Sequence, residues 1–135
     1  LHALGTHLLV DLRECNPDIL KDLRQVRDAL VEAAKAASAT IIEASFHEFN
    51  PFGVSGMVVI AESHLSIHTW PEYAYAAVDI FTCGELIKPQ VAAEYLIRRL
   101  QSKNPTVVEM KRGILPPFDR RHPHKVAEAV SPSCP

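Results

Sequence analysis

The chain has 135 residues, 47% of them hydrophobic, and a formal net charge of -2 at pH 7 from 14 basic and 16 acidic side chains spread along it. That length and apolar content fit one domain with one core, and the mixed charge gives no electrostatic case for nucleic acid or an anionic membrane. No apolar run approaches the roughly 18 residues of a membrane span and no secretory signal opens the chain, so a cytoplasmic location is expected.

Residues 6–13, THLLVDLR, alternate well enough for a strand. Asn16 and Pro17 open a helix, as a capping residue followed by a proline whose missing N–H does no harm there. Ile19, Leu20, Leu23, Val26, Leu30, Val31 and Ala34 then recur at helical spacing, which predicts one continuous helix to about Ala37. Residues 40–49 read as a strand, NPFG at 50–53 as a turn and 54–61 as a second strand. Residues 64–70 form a third strand, ended by Pro71, and 75–83 a fourth, closed by Gly84. Pro89 opens a second helix with Ala93, Leu96, Ile97 and Leu100 on one face, and 106–112 is the last strand. Five of the ten prolines fall from Leu115 onward, so 115–135 is expected to be a loose tail after a single domain over 1–114.

The order β-α-β-β-β-β-α-β predicts an α+β fold: a two-layer sandwich of a largely antiparallel sheet with two helices on one face. The strands at 57–61 and 76–81 are apolar on both faces, so the second face also needs cover. No third helix is in sight. A second copy packed sheet to sheet would supply that cover, giving a homodimer layered α/β/β/α. The three cysteines, Cys15, Cys83 and Cys134, are odd in number and form no CxxC pair, which points to free thiols in a reducing compartment.

Polar and titratable residues concentrate between positions 62 and 83: Glu62, Ser63, His64, Ser66, His68, Thr69, Trp70, Glu72, Tyr73, Asp79 and Cys83. Such groups inside an apolar sheet are either solvated on an open face or kept for chemistry. Three chemistries compete with the bland reading of a half-exposed strand. His64 and His68 with Cys83 or His47 could ligate a metal, but HxxxH is a strong signal on a helix rather than a strand, and no metal is expected. Nucleophilic hydrolysis would use a serine or cysteine with a histidine, but no GxSxG elbow is present. The third is a serine that attacks its own backbone.

The run ESHLSIHTWPEYAYAAVDIFTCG, residues 62–84, resembles the processing and active-site segment of the prokaryotic S-adenosylmethionine decarboxylase family. The likeness extends through GTHLLVDL at 5–12, FHEFNPFGVSG at 46–56 and VVEMKRG at 107–113, in matching order. It implies a proenzyme that breaks between Glu62 and Ser63 into chains 1–62 and 63–135. The Ser63 hydroxyl would displace the amide to an ester, and elimination with loss of ammonia would leave a covalent pyruvoyl group at residue 63. The resemblance makes Ser55 the donor to the developing oxyanion, His68 the processing base and Cys83 the proton donor after decarboxylation. Phe49, Trp70 and Glu72 match positions of the adenosyl pocket, and His47, His64 and Asp79 fall in supporting or structural places. The implied activity is decarboxylation of S-adenosylmethionine through a Schiff base, supplying the aminopropyl donor for spermidine, with sites near a dimer interface. Arginine or ornithine as substrate, and a non-catalytic binding homologue, stay open.

Regular alternation sets one condition. Ser63 and His68 on a single flat strand would face opposite sides, so Ser63 must sit at a bend or bulge.

Overall fold

The computed structural model describes residues 3–116. The expected tail, with Cys134, lies outside the described residues from position 117 onward. Six strands, β1 (Ala3–Arg13), β2 (Ile41–Glu48), β3 (Val54–Ile60), β4 (Ser63–Trp70), β5 (Tyr75–Cys83) and β6 (Asn104–Ile114), form one sheet in the order β2-β3-β4-β5-β1-β6. Every neighbouring pair is antiparallel.

The sequence predicts one helix from 17 to 37, and the structure divides it. The short helix α1 (Pro17–Leu20) starts at Asn16, whose side chain accepts from the Asp18 N–H, and stops at Lys21. Asp22 then leaves helical geometry and caps α2 (Leu23–Ala36), its Oδ1 accepting from the N–H groups of Arg24 and Gln25. Gln25 Nε2 donates back to Asp22 Oδ2, so an acidic cap with a Gln three residues on outweighs the apolar periodicity across it. The helix α3 (Pro89–Arg99) begins at its proline, as expected.

α2 and α3 cover one face. α2 presents Val26, Ala29, Leu30, Ala33 and Ala34, and α3 presents Ala92, Ala93 and Leu96; the alanines let the backbones come close. Facing them are Leu8, Val10 and Leu12 of β1, Leu65 and Ile67 of β4, and Val78 and Ile80 of β5, all buried. Truncating one of these to alanine costs about 2–5 kcal/mol. Thr69 is buried on this side with its hydroxyl satisfied twice, donating to Leu20 O and accepting from Val54 N–H. It is a tie between β3, β4 and α1.

The other face carries no element of the described chain. Leu9, Met57, Val108 and Met110 point from it and are 42–55% exposed, beside His7, Ser55, His64, Ser66, His68, Asp79, Phe81 and Cys83. Alternation along each strand fixes this division, because neighbouring side chains point to opposite sides.

Candidate active site

The site residues sort into two groups at opposite ends of β4. The first surrounds the β3–β4 turn. Ile60 pairs with Ser63, leaving Ala61 and Glu62 as a two-residue loop. Ser63 enters the ladder with φ 134°, a conformation that L side chains rarely adopt and that costs on the order of 1–3 kcal/mol. This meets the condition set by alternation: the chain twists at Ser63 before the regular strand begins.

The peptide bond ahead of Ser63 is held by its neighbours. The Glu62 carbonyl accepts the Cys83 N–H at 2.7 Å. Its carboxylate accepts the N–H of Thr40 at 3.0 Å and the Thr40 hydroxyl at 3.2 Å. Ser63 Oγ lies 4.0 Å from Cys83 Sγ, so the hydroxyl and the thiol share one small space. A main-chain N–H aimed at a carbonyl oxygen is also the arrangement that stabilises an oxyanion formed there.

Next to this end stands an aromatic and polar patch. Phe81 lies over Gly5, where an added Cβ would meet its ring at 2.8 Å. The Arg112 guanidinium sits 4.9 Å from the same ring centroid. His64 touches Phe81 edge to face, and burial lowers its pKa from the usual 6.5 against the opposing pull of Asp79. His7 Nε2 meets Asp79 Oδ1 at 3.1 Å, while Ser66 donates to Asp79 Oδ2 at 3.4 Å.

The second group lies at the far end of β4. Ser55 and His68 are direct partners in the β3–β4 register, and Ser55 Oγ is hydrogen-bonded to His68 Nδ1 at 2.7 Å. Phe49 follows β2 and meets His47 edge to face at 4.5 Å. Trp70 ends β4 and stacks on Tyr75 at 5.5 Å. Tyr75 donates to Asp11 at 2.6 Å, and that bond pushes its phenol up to about 12. Glu72 lies just beyond, in the 3-10 turn Pro71–Tyr73.

The structure therefore joins Ser63 to Cys83, and Ser55 to His68, but keeps the two pairs apart. Five residues of extended β4 separate Ser63 from His68, about 17 Å at the rise of a strand. Within one chain the register therefore leaves Ser55 and His68 at the end of β4 away from the 62–63 bond. Phe49, Trp70 and Glu72 belong with the Ser55–His68 end. Sequence reasoning missed Thr40, whose contact with Glu62 is long-range and leaves no local pattern. It also missed the Cys83 N–H, since a main-chain donor has no signature of its own.

Cys15 is a packing residue. It is buried, donates to Leu12 O, and burial pushes its thiol up to about 11 despite an opposing hydrogen bond with Ser102. No group of three or more His, Cys, Asp or Glu side chains among the described residues is placed to hold a metal ion. No helix among them is long and apolar enough to cross a membrane.

Comparisons with known proteins find relatives along most of the chain. A family model described as S-adenosylmethionine decarboxylase matches residues 6–113. The chain is 64% identical over 126 residues, 93% of each chain, to an S-adenosylmethionine decarboxylase proenzyme of Thermodesulfovibrio yellowstonii. It is 50% identical over 114 residues to one of Caldanaerobacter subterraneus subsp. tengcongensis, covering 84% of this chain and 92% of the relative. A crystal structure of the adenosylmethionine decarboxylase from Aquifex aeolicus superposes with a TM-score of 0.83 at 36% identity, covering 90% of this chain and all of that one. The chain belongs to the S-adenosylmethionine decarboxylase family.

Proposed function

We propose that this chain is a self-processing S-adenosylmethionine decarboxylase whose cleaved bond is Glu62–Ser63 and whose cofactor is a pyruvoyl group made from Ser63. The family makes it an enzyme of polyamine biosynthesis and favours S-adenosylmethionine over arginine or ornithine. The observation that carries the cleavage site is the hold on one carbonyl: Glu62 O accepts the Cys83 N–H, beside a serine in strained backbone.

An amide is a poor electrophile, so self-cleavage needs its carbonyl polarised and its attacker aligned. The Cys83 N–H does the first, and the twist at Ser63 the second. Ser63 Oγ bonds to the Glu62 carbonyl carbon, the C–N bond breaks, and the hydroxyl proton ends on the Ser63 nitrogen. Loss of the Ser63 Cα proton then expels Glu62 as a carboxylate. The dehydroalanine left behind tautomerises and loses ammonia to water. A ketone at the start of the downstream chain supplies a carbonyl able to condense with the substrate amine and to draw electrons from the departing carboxylate. The Ser63 hydroxyl and the Cys83 thiol are 4.0 Å apart, and that closeness supports Cys83 as the donor that would return a proton to the product.

The base for the Cα proton is His68, reached from a second copy of the chain. The open sheet face carries both half-sites at opposite ends of the same strand. A two-fold axis lying between two such faces, perpendicular to the strands, reverses β4 over β4. The Ser63–Cys83 end of one copy then meets the Ser55–His68 end of the other, with sheets about 10 Å apart. The same step covers Leu9, Met57, Val108 and Met110, and it brings Phe49, Trp70 and Glu72 to the partner's Ser63. We therefore assign a homodimer with two shared sites, working in the cytoplasm.

Denaturing mass spectrometry of the purified protein tests the processing. Two fragments divided between residues 62 and 63 are expected, with the downstream piece lacking a free amine. The Ser63→Ala chain is expected to stay whole and to release no carbon dioxide from S-adenosylmethionine. Activity in that variant would overturn the reading.

A further inference from the structure

The loop that carries the bond to be cut is gripped by an element outside its hairpin. Thr40, the last residue before β2, makes three contacts with it. Its carbonyl accepts the Ala61 N–H at 2.9 Å, its N–H donates to Glu62 Oε1 at 3.0 Å, and its hydroxyl donates to Glu62 Oε2 at 3.2 Å. With Cys83 N–H on the Glu62 carbonyl, one residue is fixed at both its side chain and its main chain.

We propose that Thr40 is a positioning residue for self-cleavage: it anchors the Glu62 carboxylate so that the Glu62 carbonyl carbon stays in line for attack by the Ser63 hydroxyl. This rests on the cleavage site assigned above. A two-residue loop has few contacts of its own, and attack on an amide depends on how often the reacting atoms reach near-attack geometry. Hydrogen bonds to a charged carboxylate are among the stronger ones available for holding such a geometry. In the covalent step the Ser63 Oγ–Glu62 C bond forms as the Glu62 C–Ser63 N bond breaks, and Thr40 neither gains nor loses a proton.

Freshly synthesised full-length chain, followed by mass spectrometry during cleavage, tests the assignment. Thr40→Val removes the hydroxyl and keeps the main-chain contacts; Thr40→Ser restores the hydroxyl. Cleavage of Thr40→Val is expected to be about tenfold slower, with Thr40→Ser within about twofold of the unmodified chain. Hydroxylamine, which splits an ester but not an amide, is expected to give Thr40→Val no acceleration, because the defect precedes the ester. Equal rates for Thr40→Val and the unmodified chain would overturn the proposal, as would equal slowing by Val and Ser. Rapid hydroxylamine cleavage of Thr40→Val would also overturn it, by placing the defect after the ester. An unmodified chain that never cleaves would instead overturn the processing reading itself.

Discussion

The two ends of β4 solve different problems with the same strand. At Ser63 the main chain itself is shaped and held: a positive φ, the Cys83 N–H on the Glu62 carbonyl, and Thr40 gripping the loop through both its main chain and the Glu62 carboxylate. At His68 the backbone is an ordinary ladder, and the work falls to two side chains, Ser55 and His68, placed opposite each other by register alone. A bond that must break needs its own backbone distorted and held. A group that moves a proton needs only a partner at hydrogen-bond distance, and regular structure supplies that at no cost in strain.

If the two ends act on each other only across a dimer, complementation separates them most sharply. The Ser63→Ala and His68→Ala chains are each expected to stay uncleaved alone. Mixed in one dimer, the intact Ser63 of the His68→Ala chain faces the intact His68 of the Ser63→Ala chain. Cleavage of the His68→Ala chain should then return, read by mass spectrometry of the mixture. A His68→Ala chain that stays whole in the mixture would place both ends in one chain and break the comparison.

Cys83 carries both kinds of contact, and they can be split. Cys83→Ala keeps the N–H on the Glu62 carbonyl, so cleavage should proceed, while steady-state decarboxylation should fall by roughly two to four orders of magnitude with the proton donor gone. Equal loss of both would show that the thiol, not the main chain, serves the cut.

The smallest expected effect concerns His64, beside the Ser63 end. Its pKa is lowered chiefly by burial, so the folded protein prefers it neutral. The stability this gives is present above the ordinary histidine value of 6.5 and is lost as pH falls below it through the lowered folded value. His64→Gln should therefore flatten the acid side of a melting-temperature profile, with little change above neutrality. An unchanged acid limb would remove His64 as the cause.

Much of this was legible before any coordinates. Alternation and Pro/Gly punctuation located all six strands, with β4 and β5 within a residue of their observed limits, because each half-buried strand repeats the same in–out choice. The bare face was legible for the same reason. The break at Asp22 was missed although its capping Gln25 is in the sequence, since the apolar positions continue across it. The order of strands was not legible. β1 inserts between β5 and β6, a pairing set by contacts 64 to 111 residues away in sequence. The resemblance named Ser55, His68, Ser63 and Cys83 together, and the register sets the Ser55–His68 pair at the other end of β4 from Ser63 and Cys83.

The strand order has a last consequence, for what a cut at 62–63 leaves behind. The upstream piece would own β1, β2 and β3, and the downstream piece β4, β5 and β6. Because β1 lies between β5 and β6, while β3 lies against β4, the fragments are interlaced through three seams of one sheet. Severing the covalent link leaves those hydrogen-bonded seams intact, so maturation would change the number of chains without changing the number of folded bodies.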